Sequence, residues 1–115
     1  VIPALVGRGW GAGLQTYAEA GRRLTGESGR VAVNNPPGFS FATHREAVVI
    51  PNGPPETLQQ VSSKFQVEWI LLEANHPAGL DELYTNPESL AWLRLVDSYK
   101  DPAGQPVYLL QVIQP

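Results

Sequence analysis

Few side chains in this sequence could do chemistry, and their spacing decides which kind. His44, Glu73, His76 and Asp81 have the donor types of a metal site. A histidine pair that grips a metal from one helix face needs i, i+4 spacing. His44 and His76 fall in different segments, so they read as loop or surface histidines and no metal site is expected. Gly38-Phe39-Ser40-Phe41-Ala42 has the outline of a nucleophile elbow. An elbow holds its serine on a tight strand-to-helix turn, with an acid and then a histidine further along the chain. Here Pro36-Pro37 interrupts the turn, and no histidine follows Asp81 or Asp97. The expectation is instead that Phe39 and Phe41 pack and that Ser40 caps a turn. Gly7-Arg8-Gly9-Trp10-Gly11-Ala12 matches the letters of a dinucleotide fingerprint. The fingerprint needs a strand before it and an acidic residue at the end of the next strand. Pro3 damages the only preceding candidate strand, and the next one ends in Asn34, so the stretch reads as a flexible leader and no cofactor is expected. The absence of cysteine excludes thiol catalysis, disulfides and cysteine zinc sites.

What remains is a recognition pattern. Glu73 closes an apolar run, with Asn75 and His76 just beyond it. Asn34 and Asn35 close an earlier run in the same way. Ligands of open α/β sheets bind outside the carboxyl ends of the strands. Asn34, Asn35, Glu73, Asn75 and His76 are therefore the candidate crevice for a ligand or partner. The competing reading of the same asparagines and histidine is loop and capping chemistry.

The elements that would position them follow from periodicity. Leu14, Tyr17, Ala18, Gly21 and Leu24 recur at helical steps, which predicts a helix over 12–24 with Gly26 as its stop and Arg22 and Arg23 in its last turn. Arg30 to Asn34 is a short strand, apolar enough to be covered on both faces. Asn35-Pro36-Pro37-Gly38 ends it abruptly, and Phe39 to Thr43 makes only a short helical turn. Glu46 to Ile50 is a second strand. Pro55 and Glu56 open a helix whose buried face is Leu58, Val61, Ser62 and Phe65. Val67 to Glu73 is the strongest strand, with Trp69 in the core. Leu80 to Tyr84 and Pro87 to Leu93 read as two short helical pieces, with Trp92 packing the second onto the sheet. Strands over 93–99 and 107–113 flank the turn Asp101-Pro102-Ala103-Gly104. Right-handed crossovers place the first three strands in the order second, first, third. The last two must form an antiparallel hairpin, because a parallel pair needs a long crossover. The expected fold class is α/β, a small three-layer Rossmann-like or flavodoxin-like domain. Its sheet is mostly parallel and ends in a C-terminal antiparallel hairpin.

Composition bounds the rest. The chain has 115 residues, 43% hydrophobic and 17% charged, which suits one globular core and not two. A net charge of -3 argues against a nucleic-acid partner, for which a basic face is expected. The longest apolar run, Trp69-Ile70-Leu71-Leu72, is far short of a membrane span. There is no methionine and no signal-peptide pattern at Val1-Ile2-Pro3-Ala4-Leu5, so the chain reads as a fragment that starts where an upstream segment ended. Trp10, in the leader, is a candidate contact for a membrane interface or a missing neighbour.

A family resemblance is carried by Val31-Ala32-Val33-Asn34-Asn35-Pro36-Pro37-Gly38-Phe39. It continues through Thr43-His44-Arg45-Glu46-Ala47-Val48-Val49-Ile50-Pro51, Leu58 and Val67-Glu68-Trp69-Ile70-Leu71-Leu72. Over about 12–115 the chain resembles the soluble C-terminal region of bacterial multi-spanning membrane glycosyltransferases, of the dolichyl-phosphate-mannose protein mannosyltransferase and aminoarabinose transferase group. In that group a strand ending in Asn-x-Pro-Pro, an aromatic pair, a Thr-x-Arg stretch and an Ile-Pro strand follow the last membrane helix. The resemblance implies that 1–11 is a linker after a membrane span and that 12–115 is one accessory domain outside the cytoplasmic membrane. It implies a parent enzyme that moves a sugar from a polyprenyl-phosphate donor to an acceptor. The partners it implies are the membrane-embedded part of the same parent chain and the acceptor substrate. The family's catalytic carboxylate lies near its first membrane helices, so no catalytic residue is carried onto this chain. The alternative is a stand-alone binding module for a small polar or sugar ligand, using the strand-end crevice.

Overall fold

The computed structural model describes residues 9–113, with side chains from residue 13 onward. Residues 1–8 of the leader 1–11, and the side chain of Trp10, lie outside the described residues. The chain runs α1 (Gly9–Arg23), β1 (Arg30–Val33), α2 (Pro36–Thr43), β2 (Ala47–Val49), α3 (Pro55–Lys64) and β3 (Val67–Leu72). A 3-10 turn (Ala78–Leu80) leads into α4 (Asp81–Thr85), and β4 (Leu93–Lys100) and β5 (Pro106–Val112) close the fold. The five strands form one open mixed sheet in the order β2-β1-β3-β5-β4. β1 pairs in parallel with β2 and β3, as the crossover rule requires. β5 is antiparallel to both β3 and β4, so β5 alone runs against the other four.

Two hydrophobic clusters lie on opposite faces of this sheet. Tyr17, Ala20 and Leu24 of α1 and Phe39 of α2 pack on Val31, Val33, Trp69, Leu71, Val107 and Leu109. Leu58 of α3, Leu80 and Leu83 pack on the other face against Ala32, Ile70, Leu93 and Leu110. The central strands are therefore buried on both sides, which is why β1, β3 and β5 read as nearly continuous apolar runs. The Trp69 indole is buried and donates to the Ser28 carbonyl at 2.9 Å.

Several boundaries differ from the sequence reading, each for a physical reason. α1 starts at Gly9 and not at Ala12. Pro36 and Pro37 do not break the chain. They open the two-turn α2, where a missing N–H costs nothing, and Asn35 caps it by accepting from the Gly38 N–H at 3.3 Å. Because that segment is helical, Phe39 and Phe41 cannot face the same way. Phe39 is fully buried and Phe41 is 71% exposed. Phe65 is likewise exposed, because α3 stops at Lys64 and Gln66 turns the chain away with φ +56°. The segment 87–93 is not helical. Pro87 keeps Asn86 out of the helical region, at φ −136° and ψ 86°. Two single turns follow, closed by Ser89 N–H to Asn86 O at 3.1 Å and Leu93 N–H to Leu90 O at 3.2 Å. Trp92 still packs on the second cluster, from a turn and not a helix.

β4 contains a bulge. Leu93 and Leu95 pair with Val112 and Leu110, whereas Asp97 and Tyr99 pair with Leu109 and Val107, so Val96 is the extra residue. The insertion changes the face that odd-numbered residues present. Leu93 and Leu95 reach the α3–α4 layer, and Tyr99 reaches the α1–α2 layer.

α3 also buries the Ser62 hydroxyl without a hydrogen-bond partner among the described residues. Ser62→Ala removes that desolvated group, and the expected gain is about 1 kcal/mol in urea unfolding. A loss of stability would show that the hydroxyl has a partner.

Candidate functional site

β1 and β3 are adjacent and parallel, so the residues just past their carboxyl ends meet. Glu73 follows Leu72 and Asn34 follows Val33. The half-buried Glu73 carboxylate accepts through Oε2 from the Tyr17 hydroxyl at 3.1 Å and from Asn34 Nδ2 at 3.4 Å. Asn34 Nδ2 also donates to the Asn75 carbonyl. The Tyr17 hydroxyl accepts from the Asn35 N–H at 3.2 Å. One phenol thus joins α1, the end of β1 and the end of β3.

Four of the five predicted residues therefore converge. Asn34, Glu73 and Asn75 are linked directly. Asn35 joins through its main chain while its side chain caps α2. His76 lies in the same loop but has a different task. Its Nδ1 is 2.7 Å from the Glu73 carbonyl and its Nε2 is 2.8 Å from Asp81 Oδ1. Both partners are acceptors, so the ring nitrogen that bears a hydrogen is the donor. The ring lies 4.7 Å from that of Tyr84, and the side chain is only 8% exposed. His76 fastens the loop after β3 to α4.

Burial is the main influence on the titrating groups. It raises the Glu73 carboxyl above the ordinary glutamate value; the Tyr17 hydrogen bond opposes this and the Asp101 charge adds to it. Burial, and then the Glu73 charge, also push the Tyr17 hydroxyl well above its usual value, which keeps it a donor. For a carboxyl raised in the fold, the native state holds its proton more tightly than the unfolded chain. Its contribution is fully present below the unfolded value and is lost as pH rises through the folded one. Glu73→Gln keeps an acceptor oxygen and removes this loss. Its unfolding free energy should fall less than that of the parent between about pH 3 and 7, where carboxyls titrate. Equal slopes in denaturant unfolding at several pH values would contradict the assignment.

Glu73 Oε1, Asn34 Oδ1 and the Asn75 side chain have no partner among the described residues, which leaves acceptors for hydroxyl or amide donors. Ser40 is elsewhere: its hydroxyl donates to the Arg45 carbonyl at 2.8 Å and closes the turn after α2. His44 is the left-handed C-cap of α2, with φ 60°. Among the described residues no three His, Cys, Asp or Glu side chains are grouped to hold a metal, and no helix is long and apolar enough to cross a membrane.

Tyr17, Tyr84 and Asp101 are the contributors that sequence reasoning left out, and Asp81 was weighed only as a metal donor. Tyr17 was assigned to the core face of its helix, where it does lie. The signal available was its polar tip, which must find a partner when the ring is buried. Comparison with protein-family models, curated proteins and solved structures finds no match.

Proposed function

We propose that this chain is a non-catalytic accessory domain of a polytopic membrane glycosyltransferase that uses a polyprenyl-phosphate sugar donor. In this reading it sits on the extracytoplasmic face of the membrane, and its strand-end crevice meets the acceptor or the membrane-embedded part of the same parent chain. One observation carries the reading. The Asn34-Asn35-Pro36-Pro37 stretch that bears the family resemblance is also the stretch that ends β1, caps α2 and supplies the amides around Glu73. The β2-β1-β3 order supports a Rossmann-like or flavodoxin-like ancestry, with β5 as an antiparallel insertion. The test is the coding sequence upstream of Val1. It should encode about eight or more apolar spans of roughly 20 residues each. Fewer spans would rule the reading out.

The leftover acceptors at Glu73, Asn34 and Asn75 favour a second reading, a stand-alone module for a sugar. Titration of the chain with monosaccharides and polyprenyl-phosphate mimics separates the two. Saturable sugar binding that Glu73→Ala or Asn75→Ala weakens supports the module. Heat signals that never saturate count against it.

A further inference from the structure

A second site lies at the other end of β3 from the strand-end crevice, where α3 gives way to the strand. A cleft of about 320 Å³ opens there, lined by Ser62, Ser63, Gln66, Val67 and Glu68. That volume is at the lower end of the range of small-ligand sites. We propose that this cleft binds a small amino alcohol in its ammonium form.

Three local irregularities surround the cleft. Ser62 is 1% exposed, and its hydroxyl has no partner among the described residues. Such a group has given up water and gained nothing in exchange, so native folds keep few of them. Gln66 holds a left-handed conformation, φ 56°, that a residue with a Cβ rarely adopts. β3 is bulged at Glu68: Arg30 pairs with Val67 and Val31 pairs with Trp69, so Glu68 is the extra residue. Bulges and left-handed non-glycine residues both collect at ligand sites. Glu68 is also held in place, because it folds closely over Gly29, where a Cβ would fall 2.6 Å from its carboxyl carbon.

The charge of the lining is one-sided. Glu68 brings a carboxylate, and no described cation lines the cleft. Arg30, opposite Val67 in the sheet, is committed to Glu46 Oε1 at 2.9 Å and to the Phe65 carbonyl at 2.8 Å. The Lys64 ammonium lies 5.5 Å from the centroid of the Phe65 ring, and neither residue is part of the lining. The C-terminal end of α3 adds partial negative charge. An ammonium group is the complement of a carboxylate beside a helix C-terminus. A carboxylate or phosphate ligand would meet Glu68 as a like charge. The Ser62 hydroxyl and the Gln66 amide can each donate and accept, which suits a hydroxyl on the same ligand. In the bound form the Ser62 hydroxyl turns about its Cα–Cβ bond to meet that group. Buried Val67 gives the ligand's carbon frame an apolar floor. Ser62 thus weakens the empty fold and is matched when the ligand is present.

The test is a ¹H–¹⁵N NMR titration with ethanolamine hydrochloride, run beside ethylene glycol and tetramethylammonium chloride. Ethylene glycol keeps the hydroxyl and lacks the charge. Tetramethylammonium keeps the charge and lacks N–H donors. The expected result with ethanolamine is saturable shifts at Ser62, Ser63, Gln66 and Glu68 by about 50 mM, the range of millimolar affinity. The other two compounds should not saturate. Glu68→Gln and Ser62→Ala should each weaken binding roughly tenfold, the scale of one hydrogen bond that involves a charged or buried group. Ser62→Ala should do so while raising stability in urea, which separates lost binding from lost folding. Glu27→Gln, in a different cleft, should leave binding unchanged. The proposal is overturned if ethanolamine does not saturate or if either comparison compound binds as tightly. It is equally overturned if Ser62→Ala or Glu68→Gln keeps full affinity, if Ser62→Ala loses stability together with affinity, or if Glu27→Gln weakens binding as much as Glu68→Gln.

Discussion

Gly79→Ala should destabilise the domain by about 3 kcal/mol or more, at the upper end of what a single overpacked methyl costs. A Cβ on Gly79 would overlap the carbonyl oxygen and carbon of Gly53 and fall 3.0 Å from the Pro54 nitrogen. All three are main-chain atoms, so no side chain can swing aside. The contact joins the loop after β2 to the 3-10 turn that buries Leu80 in the second cluster. Relief means separating those two loops and uncovering that leucine. Chemical denaturation of the variant measures the loss. A change below about 1 kcal/mol, the range of ordinary surface substitutions, would mean that the loops are not in contact.

Tyr17→Phe should cost about 2 kcal/mol at pH 7, the scale of a buried hydrogen bond to a charged group together with a stranded partner. The hydroxyl serves two elements: it donates to Glu73 and accepts from the Asn35 N–H. Without it the half-buried carboxylate keeps only the longer bond from Asn34. The effect depends on pH with a definite sign. The Tyr17 bond favours the charged form of Glu73. Its removal raises the Glu73 carboxyl further, so the loss should be larger at pH 7 than near pH 4, where the carboxyl is largely protonated. A loss that is the same at both values would assign the effect to Asn35 alone. Paired unfolding curves of Tyr17→Phe and the Tyr17→Phe/Glu73→Gln double variant separate the two contributions.

Legibility in the sequence followed the range of the interactions involved. Apolar period and turn chemistry act within a few residues. They located β1, β2, β3, the β4–β5 hairpin and the helices α1 and α3. The 2-1-3 strand order also followed, because handedness leaves one way to connect them. Asn35-Pro36-Pro37-Gly38 does end β1, but the helix beyond it starts at Pro36 and not at Phe39, because proline is at home in a first helical turn and Asn35 caps it. The face of Phe41 was lost with that helix. The candidate crevice was legible as far as it depended on strand ends: Asn34, Asn35, Glu73 and Asn75 do meet. Tyr17 was not legible as a member, because a separation of 56 positions from Glu73 leaves no local trace of their contact. The contacts of His76 to the Glu73 carbonyl and to Asp81 were not legible. Its fastening to Asp81 depends on where α4 begins, and that is set by tertiary packing.

The extra residue at Val96 has a consequence for how the domain comes apart. Because the edge strand changes sides midway, the β4–β5 ribbon plugs both halves of the interior at once. Peeling it away would wet Val107 and Leu109 on one side and Leu93 and Leu110 on the other in the same event. Neither half can melt while the other stays dry, so loss of this ribbon and loss of the whole domain should be one transition.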